Sequence, residues 1–304
     1  MRRPRTFGQQ QSRGISHVMK SLITLAGAGL AALAAGPVLA QEGEAAGPPE
    51  IEDSVYSGDW ITVGGGAVYS ASYDGSDDYV VFPIPMVMGK VGPVSISPRA
   101  GGIALDFVEN PPDRVGLDLG LVASLNSNRA SRIEDPVVKA AGKLDRAVEI
   151  GPTAGLSFPG VLNPYDRVSI GVDARWDVAG AHEGMVASPS VSYFTPLSRG
   201  MVGLLSLSAE YADGDYADYY YSVSPGQAAA SGLPLYQADS GFTKAGATVL
   251  LGADLDGNLA NGGFALYALG GYSRMLGDAR DTPYTSVRGD ADQWFAALGV
   301  GYTF

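Results

Sequence analysis

Trp294-Phe-Ala-Ala-Leu-Gly-Val-Gly-Tyr-Thr-Phe304 are the last eleven residues of the chain and its most informative stretch. Large apolar side chains fall on one face of a strand, at Leu298, Val300, Tyr302 and Phe304. The other face carries small or short side chains, at Ala297, Gly299, Gly301 and Thr303. A period of two with this size difference is typical of a strand that lies between lipid and a crowded barrel lumen. The stretch therefore predicts the closing strand of a membrane β-barrel.

An aromatic residue at the end of such a strand resembles the C-terminal assembly signal of bacterial outer-membrane barrels. We expect Val300, Tyr302 and Phe304 to be the residues that barrel-assembly machinery recognises. A soluble all-β sandwich could also end on an apolar strand, so the rest of the chain has to separate the two folds.

The N-terminus predicts export. Basic residues precede an apolar run over 22–35, and Val38-Leu39-Ala40 forms a small-x-small cleavage site. The run is too short for a membrane span, so we predict a signal peptide over residues 1–40, with Met19 as an alternative start. Residues 41–58 are acidic and rich in Gly and Pro, and we expect them to form a short periplasmic lead-in to a barrel over 59–304.

Composition excludes several classes of protein. Residues 1–40 hold five of the 20 Lys and Arg residues and none of the 32 Asp and Glu residues, so the remaining chain has a net charge of −17. That charge excludes a nucleic-acid partner, because phosphate binding requires basic residues. The chain has no cysteine, which excludes disulfides and thiolate chemistry. A hydrophobic content of 46% makes the chain unlike a disordered protein.

Alternation of apolar and small or polar residues is clearest over 115–126, 148–158 and 168–178. Runs of about ten residues have the length that a tilted strand needs to cross a bilayer. Together with weaker segments they predict a transmembrane antiparallel up-and-down barrel of twelve strands. The strands are expected at 59–71, 78–89, 92–98, 101–108, 115–126, 148–158, 168–178, 184–196, 201–211, 240–256, 261–276 and 292–304.

Connection lengths agree with this count. With both termini periplasmic, the longer loops 127–145, 214–239 and 277–291 all fall on the extracellular side, where barrels carry their longer loops. Ten strands remain the alternative if 92–108 is a single irregular element. Pro83 and Pro85 remove ladder donors on the same side of one strand, which predicts an edge, a bulge or a bend there.

Three segments resemble the signatures of the MipA/OmpV family. The first runs from Tyr73-Asp74-Gly75-Ser76-Asp77-Asp78-Tyr79 to Phe82-Pro83-Ile84-Pro85. The second joins Tyr220-Tyr221-Ser222-Val223-Ser224-Pro225-Gly226-Gln227-Ala228 to Ser231-Gly232-Leu233-Pro234-Leu235-Tyr236. The third is Leu276-Gly277-Asp278-Ala279-Arg280-Asp281-Thr282-Pro283. In this order they cover essentially the whole chain after the signal peptide.

The resemblance implies an outer-membrane barrel of a Gram-negative bacterium, in contact with outer-membrane lipid and lipopolysaccharide. It also implies a scaffold that joins a murein hydrolase to a murein synthase, while other members are discussed as adhesins, stress-responsive proteins or permeation proteins. Membership of the family indicates the cellular location of the protein better than its function.

We expect no enzymatic activity, cofactor or metal site. His182 is the single histidine after residue 40, and we predict that it is a solvated loop side chain. Asp254-Leu-Asp256-Gly257-Asn258 lacks the glycine at the sixth position and the distal Glu of a calcium loop. It predicts a tight turn. Two acidic groups are better placed for divalent cations, although solvated loop charges are the simpler interpretation. They are Asp74, Asp77 and Asp78, and Asp213, Asp215 and Asp218.

The predicted lumen provides the remaining functional hypothesis. We expect the charged residues Asp118, Glu149, Asp173, Arg175 and Asp177 to face inward, and also Glu210, Lys244 and Asp254. Such a lumen favours either a narrow pore for small cationic solutes or a network in which Arg175 and Lys244 neutralise their neighbours. A cluster of tyrosines near one loop can form an interfacial girdle or a ligand platform: Tyr211, Tyr216, Tyr219, Tyr220 and Tyr221.

Overall fold

The computed structural model describes residues 54–111 and 113–304. The predicted signal peptide and most of the predicted lead-in lie outside these described residues. The part of the lead-in that is described contains a short 3₁₀ helix, Val55–Ser57.

Twelve antiparallel strands follow one another around a closed barrel, and the last strand pairs with the first. The strands are β1 Trp60–Ala71, β2 Tyr79–Val91, β3 Val94–Arg99, β4 Gly102–Asp106, β5 Gly116–Asn126, β6 Ala147–Pro159, β7 Arg167–Asp177, β8 Met185–Ser198, β9 Met201–Ala212, β10 Gly241–Asp254, β11 Gly263–Met275 and β12 Asp292–Thr303. The prediction of twelve strands is confirmed. The ten-strand alternative is wrong, because residues 94–106 form two short strands that pair as a hairpin.

The C-terminal strand has the orientation that its alternation predicted. Leu298 is 72% exposed on the outer face, whereas Ala297 and Thr303 are buried on the inner face. Thr303 and Thr62 share a hydrogen bond of 2.7 Å across the β1–β12 closure. The large side chains of β12 therefore face the membrane.

Aromatic pairs lie on the outer face at both ends of the barrel. Tyr302 contacts Phe264 and Phe304 at the periplasmic end, with ring centroids 4.7 and 4.8 Å apart. Tyr272 and Trp294 pair at the extracellular end, with centroids 4.8 Å apart. Two such belts separated by an apolar band are typical of a barrel that spans a bilayer.

The three long extracellular loops contain five short helices. These are α1 Pro136–Ala140, α2 Gly214–Tyr221, α3 Pro225–Ser231, α4 Gly277–Asp281 and α5 Pro283–Ser286. Side-chain oxygens cap the N-termini of three of them: Asp135 caps α1, Asp213 caps α2, and Ser224 with Gln227 forms a capping box on α3. The loops are therefore folded structures. We refer to residues 127–146, 213–240 and 276–291 together as the extracellular cap.

The buried apolar side chains lie mainly in this cap and at the barrel rim below it. One cluster contains Val186, Ala212, Tyr216, Ala217, Tyr220, Tyr221, Ala238, Met275 and Ala279. A second contains Tyr73, Ile133, Val138, Ala141, Val223, Leu233 and Tyr284. The cap thus has its own hydrophobic core, and that core closes the extracellular mouth of the barrel.

Among residues 54–111 and 113–304, no helix combines the length and the hydropathy needed to cross a membrane.

Candidate functional site

The register of the strands places the predicted charged residues on the inner surface of the barrel. Each alternates with an exposed apolar residue on the outer surface, as Asp118 does with Leu117 and Leu119. The inward set comprises Asp118, Glu149, Asp173, Arg175, Asp177, Glu210, Lys244 and Asp254. We describe them in three groups.

Glu149 is the centre of the first group, and only 2% of it is exposed. Arg175 Nε donates to its carboxylate at 3.0 Å, and Asn126 Nδ2 donates at 2.9 Å. Ser124 Oγ donates to the same carboxylate at 3.2 Å. A buried carboxylate loses its hydration, so these donors are required to hold its charge inside the protein.

His182 belongs to this group, so the prediction that it is a solvated loop side chain is wrong. Its Nδ1 accepts a hydrogen bond from the Gly184 N–H at 3.0 Å, which leaves the ring proton on Nε2. Nε2 lies 3.5 Å from Glu149 Oε1. The loop turns inward because the carboxylate of Asp177 accepts from the backbone N–H groups of residues 179 and 181–183.

Ser188 joins the same group through Arg175. Ser188 Oγ accepts a hydrogen bond from Arg175 at 3.4 Å. The imidazole ring instead packs against Tyr216, with ring centroids 4.8 Å apart. His182 therefore connects the barrel wall to the cap through Glu149 and Tyr216.

Lys244 is the centre of the second group. Its Nζ lies 3.1 Å from Asp74 and 3.4 Å from Glu210. Thr243 Oγ1 also donates to Glu210, at 2.8 Å. Asp74, which the sequence suggested as part of a divalent-cation group, thus has a lysine beside it.

Arg99 is the centre of the third group, and the sequence did not indicate its role. It extends from β3 to Asp173 on β7, with Nε 2.8 Å from the carboxylate. Thr153 Oγ1 donates to the same carboxylate at 2.6 Å. Because β3 and β7 are four strands apart, this ion pair crosses the lumen.

Asp118, on β5, accepts a hydrogen bond from Asn110 at 3.0 Å.

The other acidic candidates have local roles. Asp213 accepts from the backbone N–H groups of Tyr216 and Met185, so it fixes α2 to β8. Asp254 accepts from the N–H groups of Asp256 and Asn258 in the turn after β10, which is the tight turn that the sequence predicted. Within the described residues, no group of three or more acidic, His or Cys side chains is arranged to hold a metal ion.

The tyrosine cluster is divided between two surroundings. Tyr211 faces outward and packs on Phe242, with ring centroids 5.6 Å apart, as expected for an interfacial girdle. Tyr216, Tyr220 and Tyr221 are instead buried on α2. Burial raises the pKa of Tyr216 and of Tyr221 well above the usual value. These two phenols therefore stay neutral and close the mouth by packing.

Arg129 links the first long loop to the other two. Its guanidinium lies 3.6 Å from the centre of the Tyr284 ring, and it donates to the Tyr220 carbonyl at 3.1 Å. Burial lowers the pKa of Arg129 below its usual value, although the nearby Tyr284 opposes that shift. The buried cation–π contact and the hydrogen bond together join the three loops of the cap.

Asp135 and Arg288 join the first and third loops, and their contact predicts a dependence on pH. Burial favours the neutral acid, but hydrogen bonds from Arg288 and from the N–H groups of Val137 and Val138 outweigh it, so the pKa of Asp135 is lowered. A lowered pKa in the folded state stabilises the fold above the unfolded pKa of about 3.9, and this contribution is lost as the pH falls through the folded value.

We therefore expect Asp135→Asn to lower the free energy of unfolding by about 1–2 kcal/mol at pH 7, because it removes a charge-assisted pair but keeps an N-cap acceptor. Near pH 2 the wild type and the variant should be equally stable. Unfolding in urea at both pH values measures this. Arg288→Gln is the matched control and should behave in the same way, and a difference that persisted unchanged at low pH would contradict the assignment.

Comparison with known sequences identifies the family of this capped barrel. The sequence model of the family described as MltA-interacting protein MipA matches residues 63–304. The chain belongs to the MipA family. The family resemblance found in the three sequence segments is confirmed. This MipA-family chain is an outer-membrane β-barrel, in agreement with its apolar outer face and its closed order of twelve strands.

Solved structures give a fold-level comparison. The chain is similar to an outer membrane channel from Pseudomonas putida F1, with 14% identity, a TM-score of 0.44, and coverage of 81% of this chain and 96% of that chain. It is also similar to the NanC porin, with 9% identity, a TM-score of 0.41, and coverage of 80% and 98%. No match was found among curated protein sequences.

Proposed function

We propose that this MipA-family barrel is a non-enzymatic scaffold of the cell envelope, which binds murein-remodelling enzymes through its periplasmic surface. The family name refers to proteins that interact with MltA. The extracellular mouth is closed by a packed cap, and most inward charges are held in ion pairs. A barrel closed in this way is better suited to presenting a surface than to conducting solutes.

The observation that carries the proposal is the turn between β6 and β7, residues 160–166. Asp166 is buried, and its carboxylate accepts from the N–H groups of Val161, Leu162 and Asn163 and from the Tyr193 hydroxyl. This network fixes the turn in one conformation. It holds Leu162 outward with 77% of its surface exposed. A rigid turn with an exposed apolar side chain at the periplasmic end suits a protein contact.

We expect Leu162→Ser to weaken the recovery of murein hydrolases and synthases on the purified barrel. The loss should be roughly fivefold to tenfold, as is common for an apolar side chain at the centre of an interface. Pull-down from detergent-solubilised envelopes measures it. The control is Leu235→Ser, which removes a comparably exposed leucine from the extracellular cap. Recovery by the wild type that did not exceed recovery by an unrelated barrel would rule out the scaffold.

A narrow pore for small cationic solutes is the second candidate, and the space inside the lumen favours it. Phe194 faces inward on β8 opposite Arg167, at the periplasmic end of the barrel, and is 37% exposed, so the lumen is accessible from that end. Serines line the same wall, at Ser188, Ser190, Ser192, Ser206 and Ser208. Excess acidic charge in a hydrated lumen favours cations. Conductance in planar bilayers distinguishes the two candidates.

A further inference from the structure

The wall of the barrel is incomplete between β2 and β3. Strand β2 has 13 residues, but only Gly89, Lys90 and Val91 pair with β3. Among the residues that the structure describes, no strand pairs with β2 above Gly89 on the side that faces away from β1. The β3–β4 and β4–β5 pairs cover five residues each, which is nearly the whole length of β3 and β4, and the remaining nine strand pairs cover nine or more residues. Only the β2–β3 pair leaves most of a long strand unpaired.

Prolines keep this seam open. The Ser72 N–H donates to the Asp78 carbonyl across the β1–β2 pair. The backbone N–H and C=O groups of the even-numbered residues of β2 therefore point toward β1, and those of the odd-numbered residues point toward the seam. Pro83 and Pro85 therefore lack N–H groups on the seam side. Extending the register from Gly89 and Ile96 places Pro98 opposite Val87, and Pro98 also lacks the donor that would face β2. Three donors of a continuous ladder are missing from one seam, which is the edge that the two β2 prolines predicted.

The open seam lies at the depth of the bilayer hydrocarbon. Tyr69 and Tyr79 pair on the outer face at the extracellular end, with ring centroids 5.3 Å apart, and mark the interface. Pro83 and Pro85 come next toward the periplasm, between this level and the last β2–β3 pair at Gly89. Membrane barrels otherwise satisfy their backbone along every strand, so the interruption requires an explanation.

The inner surface beside the seam is apolar. The even-numbered residues of β2 form a stripe of Phe82, Ile84, Met86 and Met88. Next to this stripe the inward positions of β1 and β12 are glycines, at Gly64, Gly66, Gly299 and Gly301. At 3.3 Å per residue the stripe is about 20 Å long, comparable with the half-thickness of a bilayer core of about 30 Å. The stripe therefore has about the length of one acyl chain.

One arginine lies at the upper end of the same seam. Arg132, from the cap, donates to the Val81 carbonyl on the free edge, and its guanidinium carbon lies 4.9 Å from the centre of the Phe82 ring. A cation above an apolar stripe is complementary to a molecule with an anionic head and one hydrocarbon tail.

We propose that the β2–β3 seam is a lateral port through which a single-chain anionic amphiphile of the fatty-acid class enters from the bilayer and lies along the Phe82–Met88 stripe. The bilayer supplies the acyl chain, because the port opens onto its hydrocarbon. The methionines of the stripe are flexible and can move to accept a chain. Arg132 binds the carboxylate. This inference does not depend on the scaffold function.

Tryptophan quenching tests the port. All three tryptophans are replaced by Phe, and Ile84→Trp places one reporter on the stripe. The barrel is reconstituted in nanodiscs and titrated with brominated stearate. The control reporter is Phe194→Trp, which also lies in the lumen but on well-paired strands far from the seam. We expect saturable quenching at position 84, displaced by unlabelled stearate, and no saturable quenching at position 194.

Two further variants connect the binding to the seam. The chain contains no cysteine, so Val87→Cys with Pro98→Cys introduces the only thiols, at strand positions that are opposite in the extended register. Oxidation should suppress quenching at position 84, and reduction should restore it. Arg132→Gln should weaken stearate binding roughly tenfold and leave its methyl ester unaffected, since only the carboxylate pairs with arginine. Equal quenching at both reporters, quenching that does not saturate, or quenching that persists in the oxidised protein would overturn the proposal.

Discussion

Replacing Glu149 with alanine should destabilise the barrel by about 3–5 kcal/mol, because removing one partner leaves buried charge without compensation. Arg175 would lose its ion pair of 3.0 Å, and His182 would lose the carboxylate 3.5 Å from its Nε2. Ser124 and Asn126 would also lose an acceptor. Unfolding in urea, followed by tryptophan fluorescence in lipid vesicles, measures the change.

Two variants separate the buried charge from other effects of the substitution. Glu149→Gln keeps the size of the side chain and an acceptor for Ser124 but removes the charge, so its loss should be smaller than that of the alanine variant. Glu183→Ala removes an exposed carboxylate from the same loop as His182 and should change stability by less than about 0.5 kcal/mol. If Glu149→Ala cost no more than Glu183→Ala, the cluster would not hold the loop to the barrel wall.

The barrel itself could be predicted from sequence because its signal is local. In β5, β6 and β7 the side chains alternate between lipid and lumen, so the period of two is present in every segment. The same periodicity gave the inward positions of Asp118 and Glu149. The prolines of β2 likewise gave a local signal, because a missing N–H group affects one side of one strand.

The cap could not be predicted in the same way, because long-range packing determines it. Arg129 and Tyr220 are 91 residues apart, and Asn126 and Tyr216 are 90 residues apart, so no sequence window contains either pair. His182 is in a short loop with glycines on either side, which is the usual setting of a solvated side chain. Only the fold shows that Asp177 turns this loop inward and that α2 covers it.

Helix α2 closes the extracellular mouth, so removing one of its buried side chains should strongly destabilise the protein. Tyr216 is 2% exposed, and its ring packs on His182 and on Tyr220, with centroids 4.8 and 4.7 Å apart. Its hydroxyl oxygen accepts a hydrogen bond from Asn126 at 3.2 Å. Tyr216→Ala should therefore lower the free energy of unfolding by about 3–5 kcal/mol, as expected when a large aromatic side chain is removed from a core.

The same substitution should also open a path from the extracellular side into the lumen. Planar-bilayer recordings should show a step increase in conductance for Tyr216→Ala over the wild type, with a preference for cations because of the acidic lumen. Tyr216→Phe keeps the ring and loses one hydrogen bond, so it should cost about 1 kcal/mol and leave conductance unchanged. Tyr211→Ala removes a tyrosine from the outer face and should not raise conductance. If Tyr216→Ala were destabilised but did not conduct, a second barrier below the cap would have to close the lumen, and the pore would lose its support.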